Sequence, residues 1–298
     1  MKKPIKMLHK AKKEKNDEFH TKLEDIEKEL QYYTDYFNDK VVYCNCDDYR
    51  SSNFFEYFKK NFDNLKIKKL ISSCYIKDGN GIVAMYDGNN TKVIKLKGDG
   101  DFRSEDCIKI LEKCDVVVTN PPFSLFREYI EKLMEYNKKF LIIGSQNAIT
   151  YKNIYELIKQ NKIFLGHNNG DMEFKVPDYY EEKATRFRQD ENGQKWRSLG
   201  NICWFTNIET GKKDKKIPLI KKYNPEEYPK YDNYDAINVD KVKDIPYDYK
   251  GVIGVPLTFL YKYNTEQFEI IDFRKGNDGK DLSVNGKTLY FRVLIKPK

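Results

Sequence analysis

Asp115-Val116-Val117-Val118-Thr119-Asn120-Pro121-Pro122-Phe123 is the stretch from which the fold of this chain can be read. Three consecutive valines have no polar face, so Val116 to Val118 predict a strand covered on both sides, as in the middle of a parallel sheet flanked by helices. The two prolines end it. Neither donates a ladder hydrogen bond, and each biases the residue before it toward extended backbone. The expectation is a stiff turn at the carboxyl end of a central strand, where open α/β sheets place their ligands.

Working outward, Val41 to Asn45, Lys69 to Ile76 and Phe140 to Ile143 read as further strands. Ser52 to Phe62 reads as a helix with Phe54, Phe55, Phe58 and Phe62 on its inner side. Ile82 to Met85 and Thr91 to Leu96, joined by Asp87-Gly88-Asn89-Asn90, predict a hairpin at the sheet edge. Ser104 reads as a helix cap, and Ser124 as the cap of a helix carrying Leu125, Phe126, Tyr129, Ile130 and Leu133. Upstream, Thr21-Lys22-Leu23-Glu24 has the form of a capping box, with Thr21 at the N-cap ahead of Leu23, Ile26, Leu30, Tyr33 and Phe37. Strands alternating with helices from 41 to 160 predict a doubly wound, Rossmann-like α/β sheet with helices on both faces. Past about residue 165 tyrosine, lysine and Asp-Glu-Asn-Gly turns dominate, strands look short, and Phe268 to Phe273 and Thr288 to Ile295 are expected to close the fold around a turn near Asn285-Gly286. The organisation expected is a basic arm over 1–16, a catalytic α/β domain over 17–165, and a smaller, mixed, loop- and strand-rich region over 166–298.

Length and charge bound the function. A chain of 298 residues has ample size for a proper core. No apolar run approaches the ~18 residues of a membrane span, and no secretory signal follows the lysine-rich N-terminus, so a cytoplasmic protein without a membrane partner is expected. The net charge of +8 is concentrated: residues 1–15 hold a local +6 and residues 212–222 a local +5, leaving the remainder at −3. Such runs suit a polyanion through counterion release, or serve as a solubilising tail and a solvated loop. Lys10, Lys12, Lys13, Lys212 and Lys213 are the candidates there. Arg186, Arg188, Trp196 and Arg197 interleave charge with an aromatic and suit phosphate contacts and base stacking. Six cysteines without C-x-x-C spacing and three histidines argue against a zinc site, so no metal is expected, and the cysteines read as small buried hydrophobes.

The tetrad suggests a chemistry of its own. An aromatic amine such as adenine N6 is a poor nucleophile because its lone pair is delocalised into the ring. An Asn side-chain oxygen and a proline carbonyl are both acceptors. Together they can take its two N–H groups and favour a more tetrahedral nitrogen, while Phe123 stacks on the base. The plainer reading is a rigid strand-to-helix turn.

The blocks LHKAKK, NDEFHT, DIEKELQYY, VVYCNCDD, GDGDFRS, NPPFSLFREY and KKFLIIGSQNAITY, in that order from Leu8 to Tyr151, closely resemble the EcoRI-type adenine-specific modification methylases. WRSLGNICWFTN and YKGVIGVPLTFLYKYN extend the resemblance more loosely. It implies a class I S-adenosylmethionine-dependent methyltransferase, expected to be a monomer, acting on adenine N6 in double-stranded DNA within a restriction-modification-type system, with GAATTC the first sequence to test. Asn120, Pro121, Pro122 and Phe123 correspond to its catalytic tetrad. Thr21, in Asp17-Glu18-Phe19-His20-Thr21, corresponds to the block that meets the methionine end of the cofactor. Asp101 and Phe102, in Gly98-Asp99-Gly100-Asp101-Phe102, correspond to the residues that hold its adenine. Between the first strand and helix the family carries a glycine-rich turn, whereas Cys46-Asp47-Asp48-Tyr49-Arg50-Ser51 has no glycine. Asp47 and Asp48 are both candidates for the cofactor contact there. Two other readings stay open: a silent DNA-binding or regulatory protein that kept the fold, and a methyltransferase of RNA or of a protein glutamine amide.

Overall fold

The computed structural model describes residues 19–211 and 215–298. The chain packs as two units, one of Met1–Ile154 with Gly166–Ile208 and one of Tyr155–Leu165 with Glu209–Lys298. Residues 166–208 thus pack with the N-terminal part, where the sequence suggested a boundary near 165.

The first unit is built on a ten-stranded sheet. Its parallel centre consists of β2 (Val41–Asn45), β3 (Lys69–Cys74), β6 (Val116–Thr119) and β7 (Lys139–Ser145), in the order β7-β6-β2-β3. The expected hairpin, β4 (Ile82–Tyr86) and β5 (Thr91–Lys95), extends the β3 edge, and the Asp87 carboxylate accepts from the Asn89 and Asn90 amides in its turn. Beyond β7 lie β10 (Lys195–Thr206), which also pairs with β9 (Phe187–Gln189), then β8 (Phe164–Lys175) and the two-residue β1 (His20–Thr21). This mixed α/β architecture is that of a class I methyltransferase. The chain leaves β2 for β3 on one side and returns to β6 on the other, so the carboxyl ends of β2 and β6 flank the topological switch point.

Both faces of the centre are covered, which explains the valine run. Val116 and Val118 pack with Val42, Cys44, Phe54 and Phe58 in a cluster joined by Ile26 and Leu30 of helix α1 (Leu23–Leu30) and by helix α2 (Asn53–Lys60). Val117, one residue out of phase, is equally buried on the other face. There Cys107 of α3 (Glu105–Lys113) sits against Ser73, and Phe126 of α4 (Phe126–Glu135) meets Phe205 at 4.9 Å between ring centroids. Gly144 is required by that packing, because a Cβ would run into the rings of Phe126 and Phe205. Five of the six cysteines are buried, and all six are free thiols.

Several local expectations change. Thr21 is not the N-cap of α1. Lys22 holds that place without a side-chain bond, and Thr21 instead pairs with Phe174 in the sheet, since a strand partner satisfies its backbone better than a frayed helix start. Helix α1 ends at Leu30, yet Tyr33 and Phe37 stay buried through a 3₁₀ turn. Ser124 lies inside the 3₁₀ turn Phe123–Leu125, where the Leu125 amide donates to Pro122 O at 2.9 Å, so it does not cap α4. Ser52 and Ser104 do cap α2 and α3. Strands β8 and β10 are twelve residues long rather than short.

In the second unit β11 (Lys230–Tyr231), β12 (Tyr234–Asn238), β13 (Ile253–Pro256), β17 (Arg292–Pro297) and β14 (Phe268–Phe273) form a separate five-stranded sheet. The segments expected to close the fold, Phe268 to Phe273 and Thr288 to Ile295, supply strands of this separate sheet. The turn at Asn285-Gly286 has both residues at positive φ, 51° and 74°, and joins β15 (Ser283–Val284) to β16 (Lys287–Thr288). No helix among the described residues is long and apolar enough to cross a membrane.

Candidate active site

A cleft of about 1090 Å³ opens at the switch point, lined by residues from the carboxyl ends of β2, β3 and β6 and from β1. Its geometry begins at the β2 turn. Cys46 takes φ +67°, the left-handed conformation that a glycine would adopt more cheaply, and the chain turns without one. Motif counting misses this loop because its signal is conformational.

The turn presents two aspartates with different fates. Asp47 Oδ1 accepts from the Ser52 hydroxyl at 2.7 Å, and Oδ2 lies 2.5 Å from the Thr119 hydroxyl, which also meets Asn45 O. Asp47 therefore ties the ends of β2 and β6 together through neutral partners. Burial pushes its carboxyl up to about 7, and the two hydroxyls pull the other way. Asp48 is clasped by Arg50, with Nε at 2.9 Å from Oδ1 and Nη2 at 2.5 Å from Oδ2, and this pairing holds its carboxyl below the usual range. Both aspartates line the cleft.

Across from them Asp101 is clasped in the same way by Arg103, at 2.8 and 2.7 Å, and Arg103 also reaches Glu128 at 2.9 Å. Phe102 is 4% exposed and packs edge-on against Tyr129 at 4.9 Å. The sequence candidates Thr21, Asp47, Asp48, Asp101 and Phe102 thus meet in one cleft with Asn120 and Pro122.

Asn120 is the most informative residue of the group. Its Nδ2 donates to Phe19 O at 2.6 Å and to Thr21 Oγ1 at 3.3 Å. Its Oδ1 is buried with no hydrogen-bond partner. Buried acceptors are rarely left so, and an orphan costs roughly 1–3 kcal/mol until a donor arrives. Pro121 is buried beneath the rim. Phe123 does not line the cleft: Phe19 stacks on its ring at 5.5 Å and 30°. Phe19, Arg50, Ser52 and Arg103, which are not among the sequence candidates, also line the cleft, and Thr119 bonds to Asp47. Gly144 to Asn147 turn the chain and do not line the cleft.

The basic candidates further along are occupied. Arg188 chelates Glu173 at 2.7 and 2.8 Å, and Lys22 reaches the same carboxylate at 2.5 Å. Trp196 lies under both cations, at 4.8 Å from Lys22 and 5.1 Å from Arg188, and donates to Asp190 at 2.8 Å. Arg186 pairs with Asp171 at 3.2 Å, and Arg197 donates to the Thr185 and Arg186 carbonyls. Arg188, foremost, and Lys22 hold Glu173 down at about 2. Lys10, Lys12, Lys13, Lys212 and Lys213 lie outside the described residues. Among the described residues no three His, Cys, Asp or Glu side chains cluster as a metal site.

Comparison with known proteins bears out the resemblance. The family model described as adenine-specific methyltransferase EcoRI matches residues 7–298. Type II methyltransferase M.EcoRI of Escherichia coli is 56% identical, covering 98% of this chain and 97% of that protein. A Type II methyltransferase of Mycoplasma genitalium is 41% identical, and Type II methyltransferase M.MpnI of Mycoplasma pneumoniae 38%, each across 98% of its own length and 97% or more of this chain. No solved structure matches the chain.

Proposed function

The chain belongs to the EcoRI adenine-specific methyltransferase family, and on that premise we propose that it transfers a methyl group from S-adenosylmethionine to N6 of an adenine extruded from duplex DNA, as the modification enzyme of a restriction-modification-type system. The observation that carries the reading is the unpartnered Asn120 Oδ1 beside a cleft at the switch point. An acceptor desolvated in advance and held by its own amide nitrogen is preorganised for an incoming N–H, which is the arrangement that electrostatic catalysis needs. The Pro121 carbonyl would take the second N–H of the amine. Pro122, by stiffening the turn, keeps the two acceptors in register.

The cleft fits the methyl donor chemically. Asp48 and Asp101 line the cleft as acceptors engaged by Arg50 and Arg103, and a ligand rich in amino and hydroxyl donors would share or replace those contacts. Phe102 offers an apolar edge for a purine. Bound S-adenosylmethionine supplies an electrophilic methyl group. The residues contribute position: they hold the amine, and a neutral amine that gains a methyl group can release its proton to water without a dedicated base. For the base to lie on Phe123, the Phe19 ring must move off it. The duplex would be held in part by the two lysine runs, of which Lys215, Lys216, Lys221 and Lys222 are exposed.

The absence of glycine after β2 would favour a silent protein, and the left-handed Cys46 weakens that reading by taking a conformation a glycine would otherwise supply. The test of the assignment is Asn120→Ala. Labelled methyl transfer at saturating plasmid DNA should fall about a hundredfold or more, well beyond the loss of affinity, about tenfold, that follows from one missing contact to the base. Transfer at the wild-type rate would remove Asn120 from the mechanism. Mapping the methylated adenines, with GAATTC tried first, and repeating the assay on RNA would separate the substrate classes.

A further inference from the structure

The Asn120 amide has two ends, and only the nitrogen is engaged. It donates to a backbone carbonyl, Phe19 O, at 2.6 Å, with Thr21 Oγ1 further off at 3.3 Å. A carbonyl accepts and never donates. Turning the amide over would set two oxygens against each other at that short separation. We infer that the Phe19 carbonyl is a positioning group of this active site: it fixes the Asn120 amide with its oxygen toward the cleft, and so requires an amide rather than a carboxylate at position 120. The inference rests on the reading of Asn120 as the acceptor for the adenine amine.

The carbonyl is itself held firmly enough to do this. Its neighbours His20 and Thr21 pair with Lys175 and Phe174 in the sheet, and Asn53 Nδ2 donates to Thr21 O at 2.7 Å. This hold is on the backbone, so the Phe19 ring can leave Phe123 for the base without releasing the carbonyl. Groups that orient a reacting side chain are effective when their own geometry is locked in this way.

Asn120→Asp separates the two ends of the amide. When the new side chain is ionised, both of its oxygens are acceptors, and the one facing Phe19 O has no proton to share. Once protonated, its O–H can donate to Phe19 O and its remaining oxygen faces the cleft, as in the wild type. The charged groups around it come from several elements. Asp47 and the Asp48–Arg50 pair lie after β2, and the Asp101–Arg103 pair lies ahead of α3. Lys77 follows β3, and His20 stands on β1, with burial and then Lys175 of β8 lowering its pKa. All of these are shared with the wild type, so dividing the variant rate by the wild-type rate at each pH removes their own titrations.

The experiment is single-turnover methyl transfer by the full chain, for wild type, Asn120→Asp and Asn120→Ala, from about pH 5.5 to about pH 8.5, with DNA binding measured alongside. Above the pKa of the introduced carboxyl the Asn120→Asp ratio should fall about tenfold per pH unit, while the Asn120→Ala ratio and DNA binding stay level. A level Asn120→Asp ratio would overturn the positioning role. If Asn120→Ala itself transfers at the wild-type rate, the assignment of Asn120 fails instead. Where Asn120→Asp is too slow to follow, a ¹³C titration of the introduced carboxyl decides. A midpoint raised by about one unit or more supports the inference, and an ordinary aspartate midpoint, near about 3.9, refutes it.

Discussion

Two regions of the first unit hold residue types suited to an adenine in DNA, the Asn120 rim and the Arg186–Arg197 ribbon, and they differ in what they leave open. At the rim a buried oxygen has no partner, and it stands beside a cleft lined by three aspartates that are themselves bonded within the protein. In the ribbon Arg186, Arg188, Trp196 and Arg197 are all spent on neighbours within the protein. Residue type shows what a side chain is competent to do, while its partners decide whether it is available. A polar atom left unpaired beside an open cleft is available to a ligand, whereas a satisfied one is committed to structure.

The largest effect expected tests that contrast in one assay. Asn120→Ala should slow single-turnover transfer about a hundredfold or more, and Arg188→Ala should change it by less than about threefold, because partly exposed ion pairs contribute modestly and do so to stability. Equal losses would break the distinction between the two regions.

The carboxylates at the two sites should also titrate stability in opposite directions. Asp47 is raised to about 7 when folded, so its contribution is complete below the ordinary aspartate range and is lost as pH rises toward about 7. Glu173 is lowered to about 2, so its contribution is complete above the ordinary glutamate range and is lost as pH falls toward about 2. Urea unfolding of Asp47→Asn and Glu173→Gln against wild type should show the first variant gaining relative stability between about pH 4 and about pH 7. The second should lose relative stability as pH rises from about 2 to about 4.5, an effect weakened by salt. Slopes of the same sign would contradict the assigned environments.

Two smaller effects sharpen the description of the rim. Phe19→Ala keeps the positioning carbonyl and removes the ring from Phe123. It should tighten binding to a duplex with a mismatched target adenine about three- to tenfold, as an aromatic pair is worth about 0.5–1.5 kcal/mol, while lowering the melting temperature. Unchanged affinity for that duplex would mean the base does not use the Phe123 face. Cys46→Gly should relieve the left-handed turn and leave stability level or raised by about 1 kcal/mol, whereas Cys46→Val should destabilise. A clear loss with glycine would show that the thiol matters beyond its backbone.

How much of this was legible depends on where the determining partner lies. Strands β2, β6 and β7 could be read because sheet burial on both faces writes itself as an apolar run. The twelve-residue β8 and β10 could not, because much of each is polar and only partly buried, and a half-solvated strand such as Gly166 to Lys175 reads as a loop. Thr21 has the local pattern of a helix cap, and a strand pairing with Phe174 overrides it. The tetrad marked Asn120 by type, but the direction of its amide is set by Phe19, 101 residues earlier, and no spacing rule reports that. Likewise the ribbon was recognisable as basic and aromatic, while Glu173, Asp171 and Asp190, which occupy it, carry no motif.

The most direct test of the account is a cycle of four DNA affinities: wild type and Asn120→Ala, each with a duplex carrying adenine at the methylated position and a duplex carrying purine, which lacks the 6-amino group. If Asn120 Oδ1 accepts from that amine, the substitution should weaken binding to the adenine duplex and hardly affect the purine duplex, with a coupling of about tenfold between the two changes. Independent, additive losses would show that the unpartnered oxygen is not what the adenine amine meets.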